Sequence, residues 1–167
     1  GELRMKEIRQ KGQYTYAFSR YLEPIATVKP GETVVIYTED AYESKVTKES
    51  DIPSQILGKY LNPQTGPVFI EGAEVGDTLA VHIQDIEITR DWAVSCMIPN
   101  FGGLTSTNLT KTLNEPLPER VWIYKRQGNE FVNVSRDYLR FEVAPFLGTI
   151  GTAPDLEAIS ALTPFDQ

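Results

Sequence analysis

Acids, rather than histidines or cysteines, are the residues of this chain with the numbers and placement to do chemistry. Glu39 and Asp40 close a β-branched, aromatic stretch and are followed by Ala41, Tyr42 and Glu43. Carboxylates at a strand end, on the loop that follows, can orient a water, accept its proton or bind a cation. Asp85 and Glu87 alternate within a later apolar stretch, and Asp91 follows it. Asn62-Pro63-Gln64-Thr65-Gly66-Pro67 is a rigid turn, its two prolines and glycine fixing the backbone so that Asn62 and Thr65 can be aimed at a site. His82 is the only histidine, so a Ser-His-Asp triad would have to use it and a metal site within the chain would rest mainly on carboxylates. Cys96, the only cysteine, lies in the apolar run Val94-Ser95-Cys96-Met97-Ile98 and reads as a small buried hydrophobe rather than a nucleophile. The phosphate-binding Gly-x-x-x-x-Gly-Lys loop, the Gly-x-Gly-x-x-Gly fingerprint and the Gly-x-Ser-x-Gly elbow do not occur.

The elements that must position these residues read as mainly β, a sandwich or barrel-like arrangement with a few short helices in one domain over 1–167. Thr33 to Thr38 is a strand entered from the Pro30-Gly31 turn, and Pro67 to Ile70 is a second, bounded by Gly66 and Gly72. Asp77 to Ile88 is the longest, with Leu79, Val81 and Ile83 on one face and a change of parity at Ile86 and Ile88. Val121–Tyr124 and Phe131–Val134 form a hairpin with its tip at Gly128, and Leu139–Val143 alternates as a half-buried strand. One helix is expected from a cap at Ser50 or Asp51 through Tyr60 with Pro53 in its first turn, another over Asp155–Leu162 after Pro154. The Gly-, Thr-, Asn- and Pro-rich stretch from Ile98 to Pro118 reads as a long ordered loop.

The turn of Lys29-Pro30-Gly31-Glu32-Thr33 is echoed by Glu74-Val75-Gly76-Asp77-Thr78, each followed by an apolar strand. The echo is either one turn type used twice or a duplicated strand unit. Two Asn-x-Ser/Thr sequons, at Asn108 and Asn133, read as chance.

With 16 Lys+Arg against 23 Asp+Glu, the formal charge is −7, which argues against a nucleic-acid footprint. No apolar run approaches the roughly 20 residues of a membrane-spanning helix. The start of the chain carries no secretory signal, and a single cysteine favours the cytoplasm.

From about Tyr21 to Asp166 the chain resembles the acetamidase/formamidase family. The resemblance rests on an ordered set of motifs: Val28-Lys29-Pro30-Gly31-Glu32-Thr33-Val34, Thr38-Glu39-Asp40-Ala41, Asn62 to Ala73, Glu74 to Ile83, and Gly148-Thr149-Ile150-Gly151-Thr152-Ala153-Pro154. It implies a β-rich, oligomeric hydrolase of carbon–nitrogen bonds, turning small linear amides such as formamide or acetamide into carboxylate and ammonia. It also implies a divalent metal, zinc or calcium, to acidify a water and polarise the carbonyl, and no nucleotide or organic cofactor. On the matched positions, Asp40 is the leading catalytic acid and Glu39 the second, with Asn62 and Asn100 shaping the substrate pocket. Family members are roughly twice this length and continue into Gly-Gly-Asn-x-Asp and Gly-Asp-x-His-Ala segments, which carry further acids and a histidine. The metal ligands in this chain are therefore unknown. Three explanations are open: a truncated enzyme, one half of a two-chain enzyme, or a derived non-catalytic module that binds a small molecule or serves assembly. The expected partners are a small amide and either a second copy, as a homodimer, or a chain supplying the second half.

Overall fold

The computed structural model describes residues 4–103 and 117–163. Ten short strands and one helical turn follow in order: β1 (Lys6–Ile8), β2 (Ala17–Phe18), β3 (Ala26–Val28), β4 (Val34–Ile36), α1 (Pro53–Ile56), β5 (Val68–Ile70), β6 (Trp92–Met97), β7 (Arg120–Gln127), β8 (Glu130–Asn133), β9 (Arg140–Glu142) and β10 (Ala158–Ile159). The chain is mainly β, in open sheets. β1 pairs with β4 and β3 with β5, both parallel, while β10 pairs antiparallel with β2. The largest sheet is an antiparallel meander in the order β6-β7-β8-β9.

The meander is the part most directly dictated by local sequence. In β7, Val121 and Ile123 share one face and are buried, as alternation requires. Gln127 pairs with Glu130, so Gly128 and Asn129 make a two-residue turn. Gly128 takes φ 61°, a left-handed conformation that favours glycine at a tight hairpin tip. Val121 and Ile123 pack with Val46, which is fully buried, and with Tyr42, Leu57, Trp92, Val94 and Cys96. The core thus joins the β6–β7 face to the segment 42–57, which continues from the loop acids Glu39 and Asp40.

Three expectations are corrected. α1 spans four residues and begins at Pro53; Ile52 occupies the cap position without a side-chain bond, and the helix stops at Leu57. Asp51 instead accepts from the Thr47 and Lys48 N–H groups at 2.8 and 3.0 Å, closing a turn upstream. Asp155–Leu162 is not a helix. Ser160 N–H donates to Tyr16 O at 2.7 Å and, just beyond the segment, Thr163 N–H to Lys59 O at 2.8 Å, with Ala158 and Ile159 opposite Phe18 and Ala17. Pro154 and Asp155 resemble a helix start locally, but the neighbouring backbone offers a ladder. Asp77–Ile88 has strand alternation but pairs in no ladder among the described residues. A strand is completed by a neighbour, so alternation alone cannot make one. β9, an edge strand, has all three residues exposed, although Phe141 lies 5.1 Å edge-on to Tyr124. Of the loop from Ile98 to Pro118, residues 104–116, including Asn108, lie outside the described residues.

Candidate functional site

Where β4 ends, the chain turns through residues 37–45, and the expected acids are at its centre. Asp40 Oδ1 accepts from the Tyr42 and Ser44 N–H groups at 2.7 and 3.1 Å. Glu39 Oε1 accepts from Asp40 N–H at 2.9 Å and from Ser44 Oγ at 2.7 Å. Such bonds from short acids to backbone two or more residues on are what make loops rigid. Asp40 Oδ2 is buried and forms an ion pair with Arg90 Nη2 at 2.7 Å. Arg90 is itself fixed: Nε donates to Trp92 O at 3.0 Å, Nη1 to Ser44 Oγ at 3.2 Å, and its guanidinium stacks 3.6 Å over the Trp92 ring.

The loop is conformationally costly. Glu43 and Ser44, consecutive and neither glycine, take φ 57° and 58°. Left-handed backbone at non-glycine residues persists only where surrounding contacts impose it and gathers at functional sites. Asn62 takes φ 61° beside them, its N–H donating to Ala41 O at 3.0 Å. The structure therefore brings Glu39, Asp40 and Asn62 together, Asn62 through its backbone. Asn100, at φ 62°, stands in a different turn, Ile98–Phe101, after β6.

The Asn62–Pro67 motif is a junction. Gln64 Nε2 donates to Asn62 O at 2.9 Å and to Thr149 Oγ1 at 2.8 Å, Thr65 Oγ1 to Tyr37 O at 2.7 Å, and Gly66 N–H to Gln10 Oε1 at 3.0 Å. It ties the turn after β4 to residues 10, 15 and 149, which are distant in sequence. A Cβ at Gly151, in the last matched motif, would lie 3.6 Å from the Phe18 ring, so that ring sits close over the glycine.

Beside this junction lies a recess lined by Tyr16, Ala41, Tyr42, Glu43, Lys45, Leu57, Gly58, Tyr60 and Leu61, with a cavity of about 10 Å³, the room of one water. Lys45 Nζ is 2.7 Å from Glu43. That contact and a bond from the Tyr16 hydroxyl hold the Glu43 carboxyl below the usual range against the opposing effect of burial. Burial and the same Glu43 bond push the Tyr16 hydroxyl up to about 12, and its ring stacks 5.9 Å from Tyr60. Burial and the Glu39 and Glu43 charges raise Tyr14 as well. Tyr16, Glu43, Ser44 and Arg90 were not legible as site residues; only the acid-rich run from Glu39 to Glu43 hinted at one of them.

Cys96 is only partly buried, though it packs against the core cluster, and that burial pushes its thiol up to about 11. Alkylation at pH 8 is expected to run about a hundredfold slower than on an exposed thiol; a rate within a fewfold of free cysteine would show the thiol exposed. His82 is exposed, and no three of His, Cys, Asp and Glu gather to hold an ion among the described residues.

The profile of the Acetamidase/Formamidase family matches residues 4–163. This chain belongs to the acetamidase/formamidase family. Among solved structures it is similar to the acetamidase from Yersinia enterocolitica, at 39% identity and TM-score 0.68 over 76% of this chain and 40% of that one. The acetamidase from Bacillus halodurans matches at 29% identity and TM-score 0.74, over 92% of this chain and 48% of that one. A predicted acetamidase/formamidase from Thermoanaerobacter tengcongensis matches at 27% identity and TM-score 0.70, over 90% and 46%. The chain thus spans less than half the length of these family members. No curated protein matches it.

Proposed function

We propose that this chain contributes to a hydrolase of carbon–nitrogen bonds in small linear amides, releasing ammonia and a carboxylate from formamide or acetamide, as one part of the active enzyme. The observation that carries the reading is the family match over 4–163, with 39% identity to an acetamidase. Amide hydrolysis needs an oriented water, stabilisation of the oxyanion and a proton for the leaving amine. In this reading Asp40 and Glu39 are the site acids, Asp40 held by Arg90 and both holding the 37–45 loop in its strained form. Asn62 and Asn100 shape the pocket. Glu43, paired with Tyr16 and Lys45, is the acid that faces the recess.

A divalent zinc or calcium would supply an activated water and a Lewis acid in such a reaction. The described residues do not offer it a site, since Asp40 is committed to Arg90 and no third ligand converges. No step is therefore routed through a metal on this chain. The same observation favours the second reading, a non-catalytic module of the family that binds a small molecule or serves assembly. No helix among the described residues is long and apolar enough to cross a membrane, and a cytoplasmic setting is part of the proposal.

The test is ammonia release from formamide and from acetamide by the chain alone and mixed with the part of the Y. enterocolitica acetamidase that this chain does not span, each with and without zinc or calcium. Release in the mixture that vanishes with a chelator is the expected result. Tight mixing without ammonia in any arm would establish the second reading.

A further inference from the structure

Glu43 and Ser44, the two left-handed residues of the acid loop, are enclosed by a ring of polar contacts. Ser44 N–H donates to Asp40 Oδ1 at 3.1 Å, and Ser44 Oγ donates to Glu39 Oε1 at 2.7 Å. Ser44 Oγ also accepts from Arg90 Nη1 at 3.2 Å, and Arg90 Nη2 returns to Asp40 Oδ2 at 2.7 Å. Arg90 therefore ties the residue before Glu43's turn to the residue after it. It does so from just before β6, 46 residues from Ser44 along the chain. Its own place is fixed by Trp92, which accepts from Nε at 3.0 Å, lies under the guanidinium at 3.6 Å and packs against the Val46, Val121 and Ile123 core. Within the loop, Glu43 N–H donates to Asp40 O at 3.1 Å. The Glu43 carboxylate leaves the loop for Lys45 Nζ, 2.7 Å away, and for the Tyr16 hydroxyl in the recess.

We infer that Arg90 is a positioning residue: by clamping Asp40 to Ser44 it aims Glu43 at Tyr16, so the acid of the recess is set from the start of the β6–β9 meander. Left-handed backbone at non-glycine residues persists only where contacts impose it. At Ser44 those contacts come from Glu39, Asp40 and Arg90. Asp40 has both oxygens engaged in the ring, so its work is to hold the loop, and Glu43 is the acid that the ring delivers to the recess. A guanidinium suits the task because its rigid planar fork meets several acceptors at fixed angles while lying flat on an indole. A lysine in its place keeps the charge but loses the fork and the stack. As a role in amide hydrolysis the inference rests on the proposed function; as a coupling between Arg90 and Glu43 it is testable without it.

The Tyr16 hydroxyl reports where Glu43 is. Burial and its bond to the Glu43 carboxylate hold it at about 12 against an ordinary 10.0, with Tyr14 acting on it in the same direction and Lys45, Tyr42 and Tyr60 on the same recess. Tyrosine ring NMR on the full chain, with the Tyr16 signal assigned by Tyr16→Phe, follows its ionisation. Arg90→Lys should make that hydroxyl at least about tenfold easier to ionise. Ser44→Ala, which cuts one contact at an exposed residue, should move it the same way by less. Glu43→Gln should match or exceed R90K, and the double variant should go no further than E43Q alone. Asn133→Ala, which loosens a different network, should leave Tyr16 unmoved however much stability it costs. An unmoved Tyr16 in folded R90K, or in S44A where R90K does not fold, would overturn the inference. So would an unmoved Tyr16 in E43Q, additive effects of R90K and E43Q, or a shift in N133A as large as in R90K. In the mixture with the Y. enterocolitica part, no ammonia from the parent chain would sink the amidase reading and leave the tyrosine signal to decide this one. Ammonia from the parent with Tyr16 unmoved in R90K would do the reverse.

Discussion

Asn133→Ala should cost about 3 kcal/mol of stability, seen as a lower urea midpoint with an unchanged slope. Asn133 is 3% exposed. Its Nδ2 donates to Glu49 Oε2 and to Ile123 O, both at 3.0 Å, and its Oδ1 accepts from Ser135 and Arg136 N–H at 3.1 and 2.9 Å. Glu49 Oε2 also accepts from Ile123 N–H at 3.1 Å, and Oε1 from the Ser135 hydroxyl. Removing the amide takes one of three donors from the Glu49 carboxylate, deprives the Ile123 carbonyl of the same donor and leaves two backbone N–H groups short of an acceptor. The network bolts the β7–β8 hairpin to the segment 42–57 that continues from the acid loop. A loss under about 1 kcal/mol would show that water replaces the amide.

The same network predicts a pH dependence. Burial raises the Glu49 carboxyl, but the Ser135, Asn133 and Ile123 bonds outweigh it and the net value lies below the ordinary one. A group depressed in the folded state contributes stability that is complete above its unfolded value, near 4.5, and is lost as pH falls through the folded value. Glu49→Gln should therefore flatten the acid side of the stability profile and leave the region above pH 6 parallel to the parent, as read by melting temperature against pH. An acid limb as steep as the parent's would remove Glu49 from the account.

Asp40→Ala should cost about 2–3 kcal/mol, a partly buried pair being worth less than a fully buried one. The change removes the ion pair to Arg90 and the acceptor for Tyr42 and Ser44 N–H, with Asp40 and Arg90 side chains 19% and 26% exposed. The strained φ of Glu43 and Ser44 loses its support, so protease nicking near Ser44 should rise in step. Asp40→Asn keeps the acceptor at Oδ1 and should cost about half as much. Equal losses for the two variants would assign the effect to charge alone. In the reconstituted mixture, a fall in activity larger for Asp40→Asn than its fall in stability would mark a role beyond holding the loop.

Local chemistry was legible from sequence where neighbours in the chain decide the outcome. The Gly128 hairpin, the two echoed turns and the apolar surroundings of Cys96 each follow from residues within a few positions. So did the placement of Glu39 and Asp40 on a loop after a strand, and the family itself, since its motifs are contiguous. The tertiary structure decided what depends on partners far along the chain. Residues 158–163 became β-structure because residues 16–18 and 58–61 offered backbone partners, and 78–88 pair in no ladder among the described residues. Asp40 met Arg90 from 50 residues away, and the Asn133 sequon that read as chance became the buried amide serving Glu49. A hydrogen bond between side chains 84 residues apart leaves no periodicity to read; only the folded chain, by burying both groups and requiring each to be satisfied, brings them together.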